Sequence, residues 1–382
     1  MRVLMHAPWP AEYVTELAAA LAARENITRL CVIVRADFAY ADAVGAALLA
    51  RCYPAAHSER SRWQQLAGHL VALARSAACI WRERPDVFHV QALHRPILDW
   101  PLLLVARLRG ASLIWTAHNS LPHENRSTDK ALFRQIYRRV DAVIAHTRHT
   151  ADTLIRQLDV SATRVHVIAH GPLSLSARPA PTRAAARASL GIDDSTFVLL
   201  LFGRLRPYKG LDMLVAALDR LADPNIQLIV AGEDMFGDAA RDIKGRSDVM
   251  ADLRRVDAEA TARYFAAADL VVLPYRRIDQ SGVLMLALTY QSAVLASCIG
   301  GLSEVIDNER TGFLLNPVDV DTLAARLTEL KSRPDALETV RRNVAVEGDG
   351  ERGWPRLAEY TAAVYCSAAT QAGQRREPSA DQ

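Results

Sequence analysis

Short apolar runs alternate with amphipathic helical patterns along almost the whole chain, and the alternation breaks once, near Gly171-Pro172, before it restarts. Before the break the runs Arg2–His6, Arg29–Val34, Val87–Gln91, Ser112–Thr116, Ala142–His146 and Val165–Ala169 read as strands, with helical patterns such as Glu12–Ala23, Arg62–Glu83 and Lys130–Arg139 between them. Strands separated by helix-length segments can pair in parallel, because each crossover helix carries the chain back to the same end of the sheet. Three prolines fall in the eleven residues from Pro172 to Thr182, which makes this the best linker in the chain. Strands are then expected at Phe197–Phe202, Gln227–Ala231, Val249–Leu253, Leu270–Leu273 and Ala293–Ser297, and helices at Leu211–Leu221, Ala258–Ala267, Val283–Tyr290 and Asp321–Lys331. At 382 residues the chain exceeds one ordinary core. The expected fold class is α/β: two Rossmann-like doubly wound domains facing a cleft, one over 1–172 and one over 180–345. A last helix, Trp354–Ala368 within 353–370, is expected to cross back to the first domain, and a polar tail follows Gln371.

Half the residues are apolar and 23% are charged, the balance of a packed globular protein. The net charge of +3 is unevenly placed. Residues 1–180 carry 22 Lys and Arg against 14 Asp and Glu, so that half is +8 and the remainder −5. A basic half suggests an anionic partner such as a phospholipid surface or a lipid diphosphate. No nucleic-acid module accompanies the arginines, so nucleic acid is not an expected partner. Five cysteines, at 31, 52, 79, 298 and 366, form no metal-ligand spacing and fit a reduced, cytoplasmic protein. The opening MRVLMHAPWP reads as a first strand and not a signal peptide. The most apolar patch, Ile97–Trp115, is broken by Asp99, Arg107 and Arg109, so no membrane span is expected. The segment Arg60–Arg84 interleaves arginines with Trp63, Leu66, Leu70, Leu73, Ile80 and Trp81. A core helix with a solvated charged face is the first reading; a helix on the inner face of the membrane, in peripheral contact with anionic lipid, is the second.

The chemistry concentrates in FGRLRPYKG, Phe202–Gly210. Val198–Leu201 runs into it as a strand and Leu211, Leu214, Val215 and Leu218 continue from it as a helix. A strand's carboxyl end facing the next helix's amino end makes an anion site, because N–H groups and the helix dipole point at the ligand. Arg204, Arg206 and Lys209 add positive charge, and Gly203 and Gly210 let backbone approach a phosphate. Neither half carries GxGxxG after its first strand, which disfavours a dinucleotide dehydrogenase. Asp319-Val320-Asp321 has the Asp-x-Asp form used by metal-dependent transferases, yet it precedes a helical pattern and reads as an N-cap; no metal is expected.

Beyond that loop, AADLVVLPYR (Ala267–Arg276), DQSGVLMLAL (Asp279–Leu288), the Ala293–Ser297 strand, GGLSEVI (Gly300–Ile306) and TGFL (Thr311–Leu314) follow in order over roughly 120 residues. Together they resemble the nucleotide-sugar domain of GT-B glycosyltransferases, most of all the family-4 retaining group, and WTAHNSLPHE (Trp115–Glu124) resembles that family's strand-end histidine loop. The resemblance implies a glycosyltransferase moving a sugar from a nucleotide diphosphate sugar to a glycan or lipid-linked saccharide acceptor, in polysaccharide or glycoconjugate biosynthesis. It implies no cofactor, since the nucleotide sugar is the donor substrate.

The resemblance also implies roles. Arg204 and Lys209 take the positions of the two diphosphate-binding cations, and Ser281 and Gly282 open a helix whose N–H groups meet the donor phosphates. Gly203 and Gly232 count among the donor-binding glycines. Asp279 stands where the family has the first glutamate of a Glu-x7-Glu pair, a contact to the transferred sugar, and Ala287 where it has the second, a ribose contact. His118 is implied to contact the donor sugar, while the acceptor proton goes to a donor phosphate oxygen. His123 reads equally as a solvated side chain. Glu304 either lines the donor site or sits in a helix's first turn. Because Ala287 departs from the pattern, two other readings stay open: a GT-B sugar-nucleotide epimerase, and a catalytically inactive pseudo-glycosyltransferase that binds a nucleotide sugar or a partner.

Overall fold

A computed structural model describes residues 1–55, 61–121, 127–175, 177–347, 350 and 352–374. The chain forms two compact units, Met1–Gly171 with Glu351–Gln382 and Pro172–Gly350. In the first, the strands are β1 (Arg2–His6), β2 (Arg29–Arg35), β3 (Leu48–Tyr53), β4 (Val87–Val90), β5 (Ser112–Ala117), β6 (Ala142–Ala145) and β7 (Val165–Val167). They form one sheet in the order β3-β2-β1-β4-β5-β6-β7, and every pairing is parallel. The second unit holds β8 (Phe197–Phe202), β9 (Ile226–Ala231), β10 (Val249–Asp252), β11 (Leu270–Leu273), β12 (Val294–Ser297) and β13 (Phe313–Leu315), in the order β10-β9-β8-β11-β12-β13, again all parallel. Both are doubly wound sheets whose strand order reverses beside their first strand.

Strands this apolar on successive residues must be covered on both faces, and they are. On β8, Leu199 and Leu201 join one core cluster while Val198 and Leu200 join another; β11 divides its residues in the same way. In the first unit Leu4 belongs to one cluster and Val3 and Met5 to the opposite one. The helix Trp354–Gln374 supplies much of that opposite cluster, packing Trp354, Leu357, Ala358, Ala362, Tyr365 and Ala368 beside the helix Ala11–Ala22. Gly171 is small because Trp354 lies on it: a Cβ there would stand 2.6 Å from the indole ring.

Two strands and several helices, Arg183–Leu190 and Pro334–Glu347 among them, go beyond the sequence expectation. β3 and β13 are edge strands; β3 is half exposed and contains Arg51, and β13, though apolar throughout, has only three residues. The helix Pro334–Glu347 buries Leu337, Val340 and Val344, a helical spacing that was visible in the sequence. The helix Arg62–Glu83 has the expected solvated charged face, with Arg62, Arg75 and Arg82 exposed, but that face is not purely polar. Its buried residues are His69, Ala72, Ser76, Cys79 and Ile80, and its exposed face carries Trp63, Leu70, Val71 and Trp81. No described helix is long and apolar enough to cross a membrane.

Candidate active site

In the second unit the strand order reverses between β8 and β11, so the loops at their carboxyl ends leave toward opposite faces and open a crevice. The loop after β8 is FGRLRPYKG. Gly210, at φ +73°, lies so close to the loop after β11 that a Cβ would stand 2.1 Å from the Pro274 carbonyl oxygen. Gly232, at φ +145°, lies likewise against Gly203, with a Cβ 2.3 Å from its carbonyl oxygen. Gly210 and Gly232 thus serve first to bring backbone against backbone. Gly203 is different, since a Cβ there would meet Val283 at 2.8 Å and Lys209 Nζ at 2.9 Å. Arg276 locks the two loops, donating to both oxygens of Asp212 at 2.8 and 2.6 Å and to the Pro207 carbonyl at 3.0 Å.

Lys209 ends a 3-10 turn, Pro207–Lys209, and folds back into this crowded place. Its Nζ donates to the Phe202 carbonyl at 2.9 Å and lies 5.6 Å from the centre of the Tyr275 ring. The side chain is only 5% exposed. Burial, followed by the like charges of Arg206 and Arg204, pushes its pKa down to about 7. Among the described residues no carboxylate pairs with it, so an arriving anion would relieve an uncompensated charge. Arg204 is exposed, 4.0 Å from Glu233. Ser281 caps the helix Gly282–Thr289, its Oγ accepting from the Leu284 N–H at 3.2 Å. Val283, in that helix's first turn, is the residue a Cβ on Gly203 would strike, so the helix's amino end borders Gly203 and the Lys209 ammonium. The fold thereby brings together Gly203, Lys209, Gly232, Ser281 and Gly282 from three loops, in the arrangement that suits a phosphate.

The remaining positions are less concentrated. Asp279 is half-buried in the segment between β11 and the Ser281-capped helix, and Glu304 is exposed in the first turn of the helix Leu302–Val305. Ala287 is completely buried in the cluster that includes Tyr264, Phe265 and Leu284, so the family's ribose position points here into the core. Asp319 caps the helix Val320–Lys331 through the Thr322 N–H at 2.7 Å, and Asp321 pairs with Arg220 at 2.7 Å; the Asp-x-Asp form is helix-terminal chemistry.

In the first unit His118 directly follows β5, at the carboxyl end of the sheet, and it is not alone. His146, directly following β6, places its Nε2 3.2 Å from His118 Nδ1 and donates from Nδ1 to the Ile168 carbonyl at 3.0 Å. That carbonyl can only accept, so His146 carries its proton on Nδ1 and takes one from His118 Nδ1. The Nε2 of a neutral His118 is then an acceptor, and it lies 2.9 Å from the amide end of Gln91. A neutral His118 therefore requires the Gln91 amide nitrogen, turned about its last torsion, to face it. Burial, reinforced by His146, His170 and His89, holds the His118 pKa well below its ordinary value. Tyr13 packs edge-on to His118 and His146, at 4.9 and 5.1 Å between ring centres. Sequence reasoning singled out His118 and passed over Gln91 and His146, although each stood at the end of an expected strand and parallel strands end on one edge. His123 lies outside the described residues.

Comparison with known proteins agrees with both halves. A family model of glycosyl transferases group 1 matches residues 196–333, and one of glycosyltransferase family 4 matches residues 11–171. The D-inositol 3-phosphate glycosyltransferase of Streptomyces avermitilis is 33% identical over 258 residues, covering 63% of this chain and 55% of that protein. The protein of the same name from Streptomyces coelicolor is 28% identical over 352 residues, covering 82% and 76%. The matched segment thus spans about half the length of the first of these relatives. Among solved structures, Anabaena Alr3699/HepE in complex with UDP-glucose superposes with a TM-score of 0.75 at 20% identity, covering 96% of this chain and all of that one (100%). WaaG, a glycosyltransferase involved in lipopolysaccharide biosynthesis, superposes with a TM-score of 0.67 at 16% identity, covering 95% and 99%. At these identities the superpositions speak for the fold. Two doubly wound units, each matched by a glycosyltransferase family model, show that this chain belongs to the group 1, family-4 glycosyltransferases of GT-B fold.

Proposed function

We propose that the protein transfers a sugar, with retention, from a nucleotide diphosphate sugar to a glycan or lipid-linked acceptor, without a metal. The observation that carries this reading is the Lys209 ammonium, buried at the switch point of the second unit against the amino end of the Ser281-capped helix. The second unit is then the nucleotide-sugar domain and the first the acceptor domain. In this reading Lys209, Arg204 and the N–H groups of Ser281 and Gly282 hold the donor diphosphate, and Gly203 and Gly232 keep the backbone close to it. As the glycosidic bond breaks, negative charge grows on the diphosphate, and fixed cations placed beforehand stabilise it without reorganising. Asp279 holds hydroxyls of the transferred sugar, Glu304 lines the donor site, and His118 presents a neutral imidazole to the same sugar. The acceptor's proton leaves to a donor phosphate oxygen, so no protein base is required. The D-inositol 3-phosphate glycosyltransferases among the relatives make a phosphorylated polyol a further acceptor to test. Work at the inner face of a bacterial membrane suits a lipid-linked acceptor.

One observation favours a second reading. With Ala287 buried and aliphatic, the usual carboxylate for the ribose is gone, as it would be in a copy that binds nucleotide sugars without turning them over. Incubating the purified protein with a panel of nucleotide sugars separates the possibilities. A transferase slowly releases free sugar and nucleoside diphosphate to water, an epimerase yields an isomerised donor, and a pseudo-enzyme yields neither; the second or third result would refute the proposal.

A further inference from the structure

The buried side of the helix Arg62–Glu83 is partly polar. His69 faces Asp99 there, Nε2 to Oδ1 2.8 Å, and Ser76 and Cys79 are buried with it. Outward point Trp63, Leu70 and Trp81, which are 80%, 52% and 56% exposed. Their spacings of seven and eighteen residues return to nearly the same azimuth at about 100° per residue, so they form one stripe roughly 27 Å long. Val71 borders the stripe. The helix Pro101–Leu108 packs alongside and adds Leu104 and Leu108, and the Arg109 guanidinium lies 4.3 Å over the Trp81 ring, which ties the two helices together at the surface. Of the thirteen large apolar side chains exposed among the described residues, seven fall between positions 63 and 108. Single exposed apolar residues are ordinary; a stripe on two adjoining helices is not.

The charges beside the stripe decide what it fits. Arg62, Arg75 and Arg82 flank it on the long helix, whose one acid, Glu83, is taken up by Arg29 at 2.7 Å and Arg82 at 3.1 Å. The helix Pro101–Leu108 has no acidic residue. Indole rings with arginines at their margins match the boundary between headgroups and acyl chains, where the ring lies at the interface and the guanidinium meets phosphate. We propose that this face is a docking surface for an anionic lipid bilayer, with Trp63, Leu70 and Trp81 entering the interface and Arg62, Arg75, Arg82 and Arg109 meeting lipid phosphates. The proposal concerns where the first unit rests and stands whether or not the transfer reading holds.

Vesicle co-sedimentation of the full chain tests it without donor or acceptor, so its outcome and that of the donor panel are independent. Phosphatidylcholine vesicles and vesicles with about one-third phosphatidylglycerol are compared at low and high salt. Binding should favour the anionic vesicles and fall with salt. Changing Arg62, Arg75 and Arg82 together to Gln should weaken it on the order of a hundredfold, at roughly fivefold per arginine. Trp63→Ser with Trp81→Ser should abolish quenching of indole fluorescence by brominated lipid, and Trp63→Ser alone should weaken binding while the thermal melt stays in place, because that side chain is 80% exposed. Absence of binding, binding indifferent to lipid charge, or binding retained by both variants would overturn the proposal. So would a dimer in solution that the tryptophan variant disperses, since the stripe would then cover a second copy.

Discussion

Lys209 shows how much a single position can state about chemistry once its surroundings are known. Its pKa of about 7 lies below the ordinary 10.5, so the unfolded chain binds the extra proton between those values. The protein without ligand should therefore gain stability as pH rises through that window, and Lys209→Met should remove the gain in chemical denaturation followed at several pH values. A bound diphosphate reverses the balance by favouring the charged amine. Calorimetric titration with nucleoside diphosphate at pH 8, in two buffers of different ionisation enthalpy, should show uptake of about one proton, absent in the variant. The neutral state of His118 is open to a similar probe. Gln91→Glu would set a carboxylate beside Nε2, and the His118 pKa should rise by roughly 1–3 units, read by NMR titration of its ring. An unchanged titration would mean that Gln91 does not hold His118. Of these two groups the sequence announced the cation itself, through FGRLRPYKG. Its burial could not be read, because that arises where the loops after β8 and β11 meet, about 65 residues apart in the chain.

At the scale of elements, the central strands were the most legible. β1, β8 and β11 were read to the residue because both faces of a central strand are apolar, whereas β3 escaped because it is a half-exposed edge strand interrupted by Arg51, and β13 because three apolar residues are too short a run to stand out. The helix Arg62–Glu83 was found, but its orientation was not, since periodicity locates an apolar stripe without saying what covers it. The helix Gly282–Thr289 carries the sharpest consequence. Restoring the family's acid by Ala287→Glu would bury a carboxylate among Tyr264, Phe265 and Leu284 and should cost about 3–5 kcal/mol, seen as a fall in melting temperature without tighter nucleotide binding. Tighter binding with unchanged stability would instead place that position at the ribose. The helix Trp354–Gln374 offers a comparable test in the first unit. Trp354→Ala empties the space against Gly171 and Tyr13 and should destabilise by about 3–5 kcal/mol, measurable by denaturant unfolding.

For the molecule as a whole, the sequence alternation translated directly into two doubly wound sheets, and the charge asymmetry of +8 against −5 is the ground on which an anionic partner is expected for the first half. What links fold to function is the placement of the basic loop at the switch point of the second sheet, where such sheets take their ligands. If that loop holds the donor diphosphate, Lys209→Ala and Arg204→Ala should each lower turnover at saturating nucleotide sugar by about tenfold to a hundredfold, the worth of a charge-assisted contact of roughly 1.5–3 kcal/mol that strengthens in the transition state. Wild-type turnover in either variant would contradict the assignment of that cation to the diphosphate.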